Sequence, residues 1–305
     1  MRRLQALIST VLPDLFKMPR TTTDPNSPLI YSGSLLHVSD IQMLPVQRNE
    51  LARKGKSGIR LYGAFGSYAV LQSILILPPE NAYQFLWTPT RDSLVWIGSV
   101  SSDSPFDRLL SVFEATGFGA ARVSKRQIHT LITLEDVVNL IRMGVLTSEV
   151  RISSISSEPI TTSRDTTLAD ALQLMFEGKV RRLFLDDEPR KYISDRSILA
   201  LLFSPYMLKV ARDSPGKWLD LRVNQIPKRE ATSVPSEASL LDAASLLTQG
   251  SDECLVTSKN RVVTRWDIVI KSWKKDLEFV AEQPISPEVR NKFSHRARIR
   301  DASKE

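Results

Sequence analysis

The stretch VRISSISSEPITTSRDTTLADALQLMFEGKVRRLFLDDEPRKYISDRSILALL, residues 150–202, decides how this chain folds. Within it Leu168, Ala171, Leu172, Leu174 and Met175 recur at the spacing of one helical face, and the run closes on Gly178, a C-cap signal. RRLFL (181–185) has the apolar character of a strand, a polar turn follows, and KYIS (191–194) runs into a second apolar helix. Ahead of the first helix, Ile152-Ser-Ser-Ile155 leads over a polar step to Pro159-Ile160. The order is β-α-β-β-α, an α+β unit.

Moving outward, the same template recurs. EASLLDAASLLTQG (237–250) repeats the helix with Leu240, Ala243, Ala244, Leu246, Leu247 and Gly250, and DSPFDRLLSVFEATG (103–117) does so with Phe106, Leu109, Leu110, Val112 and Phe113. Strand-like stretches follow at 119–123 and 253–256, and strand-to-helix junctions at 130–141 and 261–272. The hydroxyl residues of the three junctions, Thr133, Ser194 and Thr264, recur with a period of about 65 residues, the mark of a repeat architecture. Val223-Asn-Gln-Ile226 leads to Glu230-Ala231 as the tetrad at 152–155 leads to 159–160. Val38-Ser-Asp-Ile41 leads to Pro45-Val46 in the same way, and GAFGSYAVLQSIL (63–75) matches the junction with Gly66 in the hydroxyl position. This fourth, divergent copy has too little chain between Val46 and Gly66 for a full first helix, which is expected to be truncated or lost.

Composition supports globular units. Of 305 residues 42% are hydrophobic and 25% charged, enough for packed cores across two or three domains. The formal charge of +7 suits an anionic partner without requiring one. The single cysteine, Cys254, has no internal disulfide partner, and His37, His129 and His295 are too scattered for zinc spacing, so a cytoplasmic, metal-free protein is expected. No apolar run approaches the roughly 18–20 residues that span a bilayer. MRRLQALISTVLPDLF at the start has the pattern of a short amphipathic helix.

The repeats resemble cystathionine β-synthase (CBS) domains, over about 37–273, most completely at 150–203 and most faintly at 37–77. The resemblance implies tandem CBS repeats paired into two Bateman modules: an N-terminal extension (1–30), a divergent first repeat (31–88), repeats at 89–147, 148–208 and 209–273, and a basic tail (274–305). It also implies a non-enzymatic regulatory protein whose inter-repeat clefts take an adenosine-containing ligand (AMP, ADP, ATP or S-adenosylmethionine) with no required cofactor, and a homodimer signalling to a protein partner.

In that family the junction reads Gly, two apolar residues, Ser/Thr, two residues, Asp; the helix N-terminus suits a phosphate and the carboxylate the ribose hydroxyls. Thr133 with Asp136 and Thr264 with Asp267 fit; Ser194 is followed by Ser197 instead of Asp, and the first junction has Gly66 and Ala69. Thr130, Lys191 and Arg261 replace the family glycine. Adenine is expected against Ile160-Thr161 or Ala231-Thr232, and Lys179, Arg181 and Arg182 are phosphate candidates. Each site has a plainer alternative: Thr-x-x-Asp is also a capping box, and 179–182 a solvated basic turn.

The alternative function is a ligand-independent scaffold or dimerisation protein whose basic tail (Arg290, Lys292, Arg296, Arg298, Arg300, with Phe293 interleaved) contacts nucleic acid or an acidic protein. A second basic run covers 48–60, including Arg48, Arg53, Lys54, Lys56 and Arg60. Catalysis is not expected: GAFGSY lacks the lysine and glycine spacing of a phosphate loop, and no nucleophile–base set is suggested. The five tryptophans are expected to be core or interface anchors, with the alternative that Trp266, inside the last junction, flanks a ligand.

Overall fold

The computed structural model describes residues 5–12, 21–39, 41–51, 57–126, 128–249 and 253–282. Expectations resting on Arg53, Lys54, Lys56, Gly250, His295 or the tail residues Arg290, Lys292, Phe293, Arg296, Arg298 and Arg300 lie outside the described residues.

After a one-turn helix, α1 (Ile8–Val11), the unit inferred from 150–202 appears four times. Repeat 1 comprises α2 (Leu29–Val38), β1 (Met43–Leu51), β2 (Ser57–Gly66) and α3 (Ser67–Ile76), with a short α4 (Ala82–Phe85) behind it. Repeat 2 comprises β3 (Gly98–Ser101), α5 (Phe106–Thr116), β4 (Ala120–Lys125), β5 (Ile128–Thr133) and α6 (Leu134–Arg142). Repeat 3 comprises β6 (Thr161–Thr162), α7 (Leu168–Glu177), β7 (Arg182–Leu185), β8 (Lys191–Ser194) and α8 (Asp195–Leu202), then α9 (Pro205–Asp213). Strand β9 (Arg229–Glu230) leads to repeat 4: β10 (Thr232–Val234), α10 (Leu240–Gln249), β11 (Cys254–Thr257), β12 (Val262–Thr264), a π-helical turn at Asp267–Lys271 and α11 (Ser272–Glu282).

Each full repeat pairs its first strand parallel to the second and the second antiparallel to the third, the topology that a helical crossover followed by a tight turn produces. Repeat 1 keeps the scheme with Thr23 bridging parallel to Val46. Segments are also exchanged: β9 pairs with β8 of repeat 3, while Ser157, ahead of repeat 3, bridges to Val262 of repeat 4.

The apolar stripes dictate the packing. Phe106, Leu109, Leu110 and Phe113 are buried on α5, as are Leu168, Ala171, Leu172 and Met175 on α7, each large side chain contributing roughly 1.5–3 kcal/mol. Val112, Leu174 and Leu246 occupy one shared position just off this stripe; they are only partly buried, Leu174 being 37% exposed. Gly117 closes α5 at φ +72°, a conformation open to glycine without strain. Gly178 ends α7 with right-handed backbone instead, and the positive φ falls on Lys179.

Two kinds of interface join the repeats. Sheet faces join 1 to 2 through Met43, Ala64, Val95, Ala120 and Leu131, and 3 to 4 through Phe184, Tyr192, Ala231, Cys254, Val256 and Val262, giving two modules. Helices join the modules: α2 and α3 share a core with α7 and α8, and α5 and α6 share one with α10 and the last helix. At Gly33 the approach is so close that an added Cβ would lie 1.8 Å from the Phe203 ring.

Several expectations change. The first helix of repeat 1 is present in full as α2, so that repeat begins at Thr23 and not at residue 31, and Val38 and Ser39 end the helix where an inter-repeat tetrad was expected. The short helix of the N-terminal extension packs inward: Ile8, Val11 and Leu12 belong to the core of repeats 2 and 4. The last helix continues past residue 273 to Glu282. Trp218 and Trp273 are buried, but Trp87 and Trp96 are 53% and 71% exposed and anchor no core.

Candidate functional site

At each junction a strand hands over to a helix whose first N–H groups have no partner in the helix itself. At α6, Asp136 Oδ2 accepts from the Thr133 N–H at 2.7 Å and from its hydroxyl at 3.1 Å, a closed capping box. At repeat 4, Asp267 Oδ2 accepts from the Thr264 N–H and hydroxyl, both at 2.7 Å, while Oδ1 pairs with Lys271 Nζ at 2.6 Å. Ser194 and Ser197 form the third box, with reciprocal bonds of 2.9 and 3.2 Å. Gly66 caps α3 with extended backbone and no side chain. The capping chemistry is therefore in place at all three hydroxyl junctions.

The adenine candidates differ in environment. Ile160 is partly buried and its carbonyl accepts from the Phe184 N–H at 2.9 Å, whereas the Thr161 side chain is exposed. Ala231 is buried in the seam between repeats 3 and 4, and Thr232 is partly buried beside it.

The arginines depart most from expectation. Arg181 and Arg182 are not a solvated turn; only Lys179 is exposed. Arg181 donates through Nε and Nη2 to Asp195 Oδ2 at 2.8 and 2.6 Å, and the same oxygen accepts from the Ser67 hydroxyl of repeat 1 at 2.6 Å. Arg182 faces Glu253, a carboxylate 1% exposed, with its Nε 3.3 Å from Oε2. Arg196 and Arg229 reach Glu253 Oε1 at 3.4 and 3.3 Å, and the Ser194 hydroxyl donates to it at 3.4 Å. Arg265, also buried, donates to the Leu247 carbonyl at 3.0 Å.

Three guanidiniums thus converge on one carboxylate in the seam between repeats 3 and 4. Burial opposes the charge on Arg182, but Glu253 leads the neighbours that hold its pKa above the usual value. Burial pushes Arg265 the other way, below it. Tyr192, in the same seam against Phe184, is held above the ordinary phenol range by burial, and its hydroxyl has no hydrogen-bond partner among the described residues. A buried hydroxyl left unsatisfied costs roughly 1–3 kcal/mol. Tyr192→Phe should therefore leave the protein as stable or up to about 1 kcal/mol more stable, and a clear loss in a denaturant titration would show that the hydroxyl is bonded after all.

Sequence reasoning missed Glu253, Asp195, Arg196, Arg229 and Ser67. A usable signal existed for the first three: each is a charged residue set directly against an apolar strand or helix, where a solvated side chain is out of place. Arg229 and Ser67 carry no such mark. Among the described residues no group of three or more His, Cys, Asp or Glu is placed to hold a metal ion, and no helix is long and apolar enough to cross a membrane.

Comparison with known proteins bears on the family. A CBS domain model matches residues 150–204. The whole fold overlays on protein MJ1225 of Methanocaldococcus jannaschii, a candidate archaeal homologue of g-AMPK, with TM-score 0.67, 17% identity, and 83% of this chain and 95% of that one covered. A conserved protein of Pyrococcus horikoshii aligns at TM-score 0.49 and 12% identity over 82% and 94% of the two chains. CBSX2 of Arabidopsis thaliana, solved in complex with AMP, aligns at TM-score 0.32 and 22% identity over 41% and 98%. A search of curated proteins finds no match. Residues 150–204 are thus a CBS domain, and three further copies of its topology give the chain the fold of tandem CBS repeats.

Proposed function

We propose that the protein is a non-catalytic regulator that binds a phosphorylated adenosine compound in a cleft between paired repeats and signals by changing how those repeats pack. The observation that carries this reading is the convergence of Arg182, Arg196 and Arg229 in the seam between repeats 3 and 4. Guanidinium groups are weakly hydrated and present planar forks of donors that match phosphate oxygens, so a buried set of them favours an oxyanion. In this reading the phosphates lie toward Arg182, the base against Ile160-Thr161 or Ala231-Thr232, and Asp267 takes the ribose, with Asp136 the corresponding carboxylate for a ligand in the module of repeats 1 and 2. The sulfonium cation of S-adenosylmethionine suits the cluster less well than AMP, ADP or ATP. A ligand acts on the packing only through its different affinity for the two arrangements.

One observation favours a second reading, a ligand-independent scaffold: both carboxylate oxygens of Asp267 are already engaged, by Thr264 and by Lys271. A thermal-shift panel of adenosine, AMP, ADP, ATP, S-adenosylmethionine, GTP and NAD at millimolar concentration separates the two. A ligand at 100 times its Kd stabilises by roughly 2.7 kcal/mol, a plain rise in Tm. AMP, ADP or ATP should raise Tm while adenosine does so far less, and Asp267→Asn should shrink the increment beyond what losing the cap does to the ligand-free protein. A flat panel selects the scaffold.

A further inference from the structure

The contacts around Glu253 are loose for ion pairs so deeply buried. Its oxygens stand 3.3 Å from Arg182, 3.4 Å from Arg196, 3.3 Å from Arg229 and 3.4 Å from the Ser194 hydroxyl. Charge-assisted N–H···O bonds normally close to about 2.7–2.9 Å. The adjacent Arg181–Asp195 pair does so, at 2.6 and 2.8 Å, so the protein can make tight pairs in this same region. The nest of guanidiniums is wider than the carboxylate it holds. A carboxylate brings two oxygens and one charge; a phosphate brings three terminal oxygens and a charge nearer −2, and reaches across a larger gap.

The members of the nest also come from different parts of the fold. Arg182 opens β7, Ser194 and Arg196 flank the start of α8, Arg229 lies on the exchanged strand β9, and Glu253 precedes β11 of repeat 4. Glu253 is thus the side chain through which repeat 4 grips the cationic face of repeat 3.

We propose that Glu253 is a tethered competitor for the ligand's phosphate: it occupies the Arg182–Arg196–Arg229 nest when no ligand is bound and yields it when a phosphate oxyanion enters. The inference rests on the ligand reading above. It supplies that reading with a switch, because releasing Glu253 removes an ionic tie between repeats 3 and 4, and a ligand that binds only the released form shifts the packing toward it.

The test is calorimetric titration of inorganic pyrophosphate and of ATP into the full chain, as wild type, Glu253→Gln and Glu253→Asp. Glu253→Gln keeps the shape and removes the competing charge, so both anions should bind at least about tenfold more tightly than to wild type. Without added anion this variant should melt lower, with three guanidiniums around a neutral amide, and pyrophosphate should restore more of its Tm than it adds to wild type. Glu253→Asp, which keeps the charge on a shorter arm, should fall between the two and serves as the informative variant if Glu253→Gln does not fold. Wild-type binding with equal or weaker affinity in both variants overturns the competitor and leaves the ligand reading standing. Binding to Glu253→Gln but not to wild type would mean that Glu253 fills the nest without yielding it, which overturns both the switch and the ligand reading for the native chain. Binding to none of the three overturns both.

Discussion

Replacing Ile8 and Leu12 together by alanine is expected to destabilise the protein by at least about 4 kcal/mol, since each Ile→Ala or Leu→Ala change in a packed core costs roughly 2–5 kcal/mol. Ile8 is fully buried and Leu12 nearly so, and both lie among Phe106, Val137, Leu240 and other side chains of repeats 2 and 4. The backbone is fastened as well: the Ile8 and Ser9 N–H groups donate to Ser104 and Ser102, and the Phe106 N–H donates to Ala6. Against a typical folding free energy of about 5–15 kcal/mol, a loss of this size is a large share of the total. Urea unfolding measures it, with the midpoint falling and the slope unchanged. A change under about 1 kcal/mol would mean that the segment rests on the surface and that repeats 2 and 4 close without it.

Asp195→Ala is the second large effect, expected at roughly 3–5 kcal/mol, the usual cost of removing one partner of a buried ion pair. Asp195 is 1% exposed and holds Arg181, whose side chain is 23% exposed, together with the Ser67 hydroxyl from the other module. Its Oδ1 also accepts from the Arg196 N–H at 3.0 Å in the first turn of α8, where a negative charge is favoured by the helix dipole. Ser67→Ala removes a hydroxyl that donates to Asp195 and accepts from Arg181 Nη2 at 3.2 Å, and should cost about 1–2 kcal/mol. A double-mutant cycle between the two reads the tie between repeats 1 and 3 directly, with a coupling of roughly 0.5–3 kcal/mol. Additive single effects would show that Ser67 and Asp195 do not act on one another.

Repeats 2, 3 and 4 were legible because their first helices obey one rule: apolar residues at i, i+3, i+4 and i+7 face the core and a hydroxyl residue opens the second helix. Repeat 1 was misread for a physical reason. Its buried face on α2 is Leu29, Ser32, Gly33 and Leu36, while Tyr31 and Val38 point outward, so hydropathy does not mark the inner side. Ser32 is tolerated inside because its hydroxyl bonds to Thr23 and Thr90, both at 2.7 Å, and Gly33 because Phe203 fills the space a side chain would take. The long strands β1 and β2 then displace the count from helix to junction, and a chance tetrad at 38–41 took the place of the true start near Thr23.

The repeat, its strand and helix order and the positions of the junctions are legible from local pattern alone, because they follow from periodicity and from caps whose partners lie three residues apart. Packing in three dimensions settles which repeats share a core by helices and which by sheets. It alone brought Ser67, Arg181 and Asp195 together, and Glu253 to Arg182, Arg196 and Arg229. An apolar stripe states that a face must be covered and leaves open by what, and a charge takes its partner from whatever the packing sets beside it, across 128 positions in the case of Ser67 and Asp195.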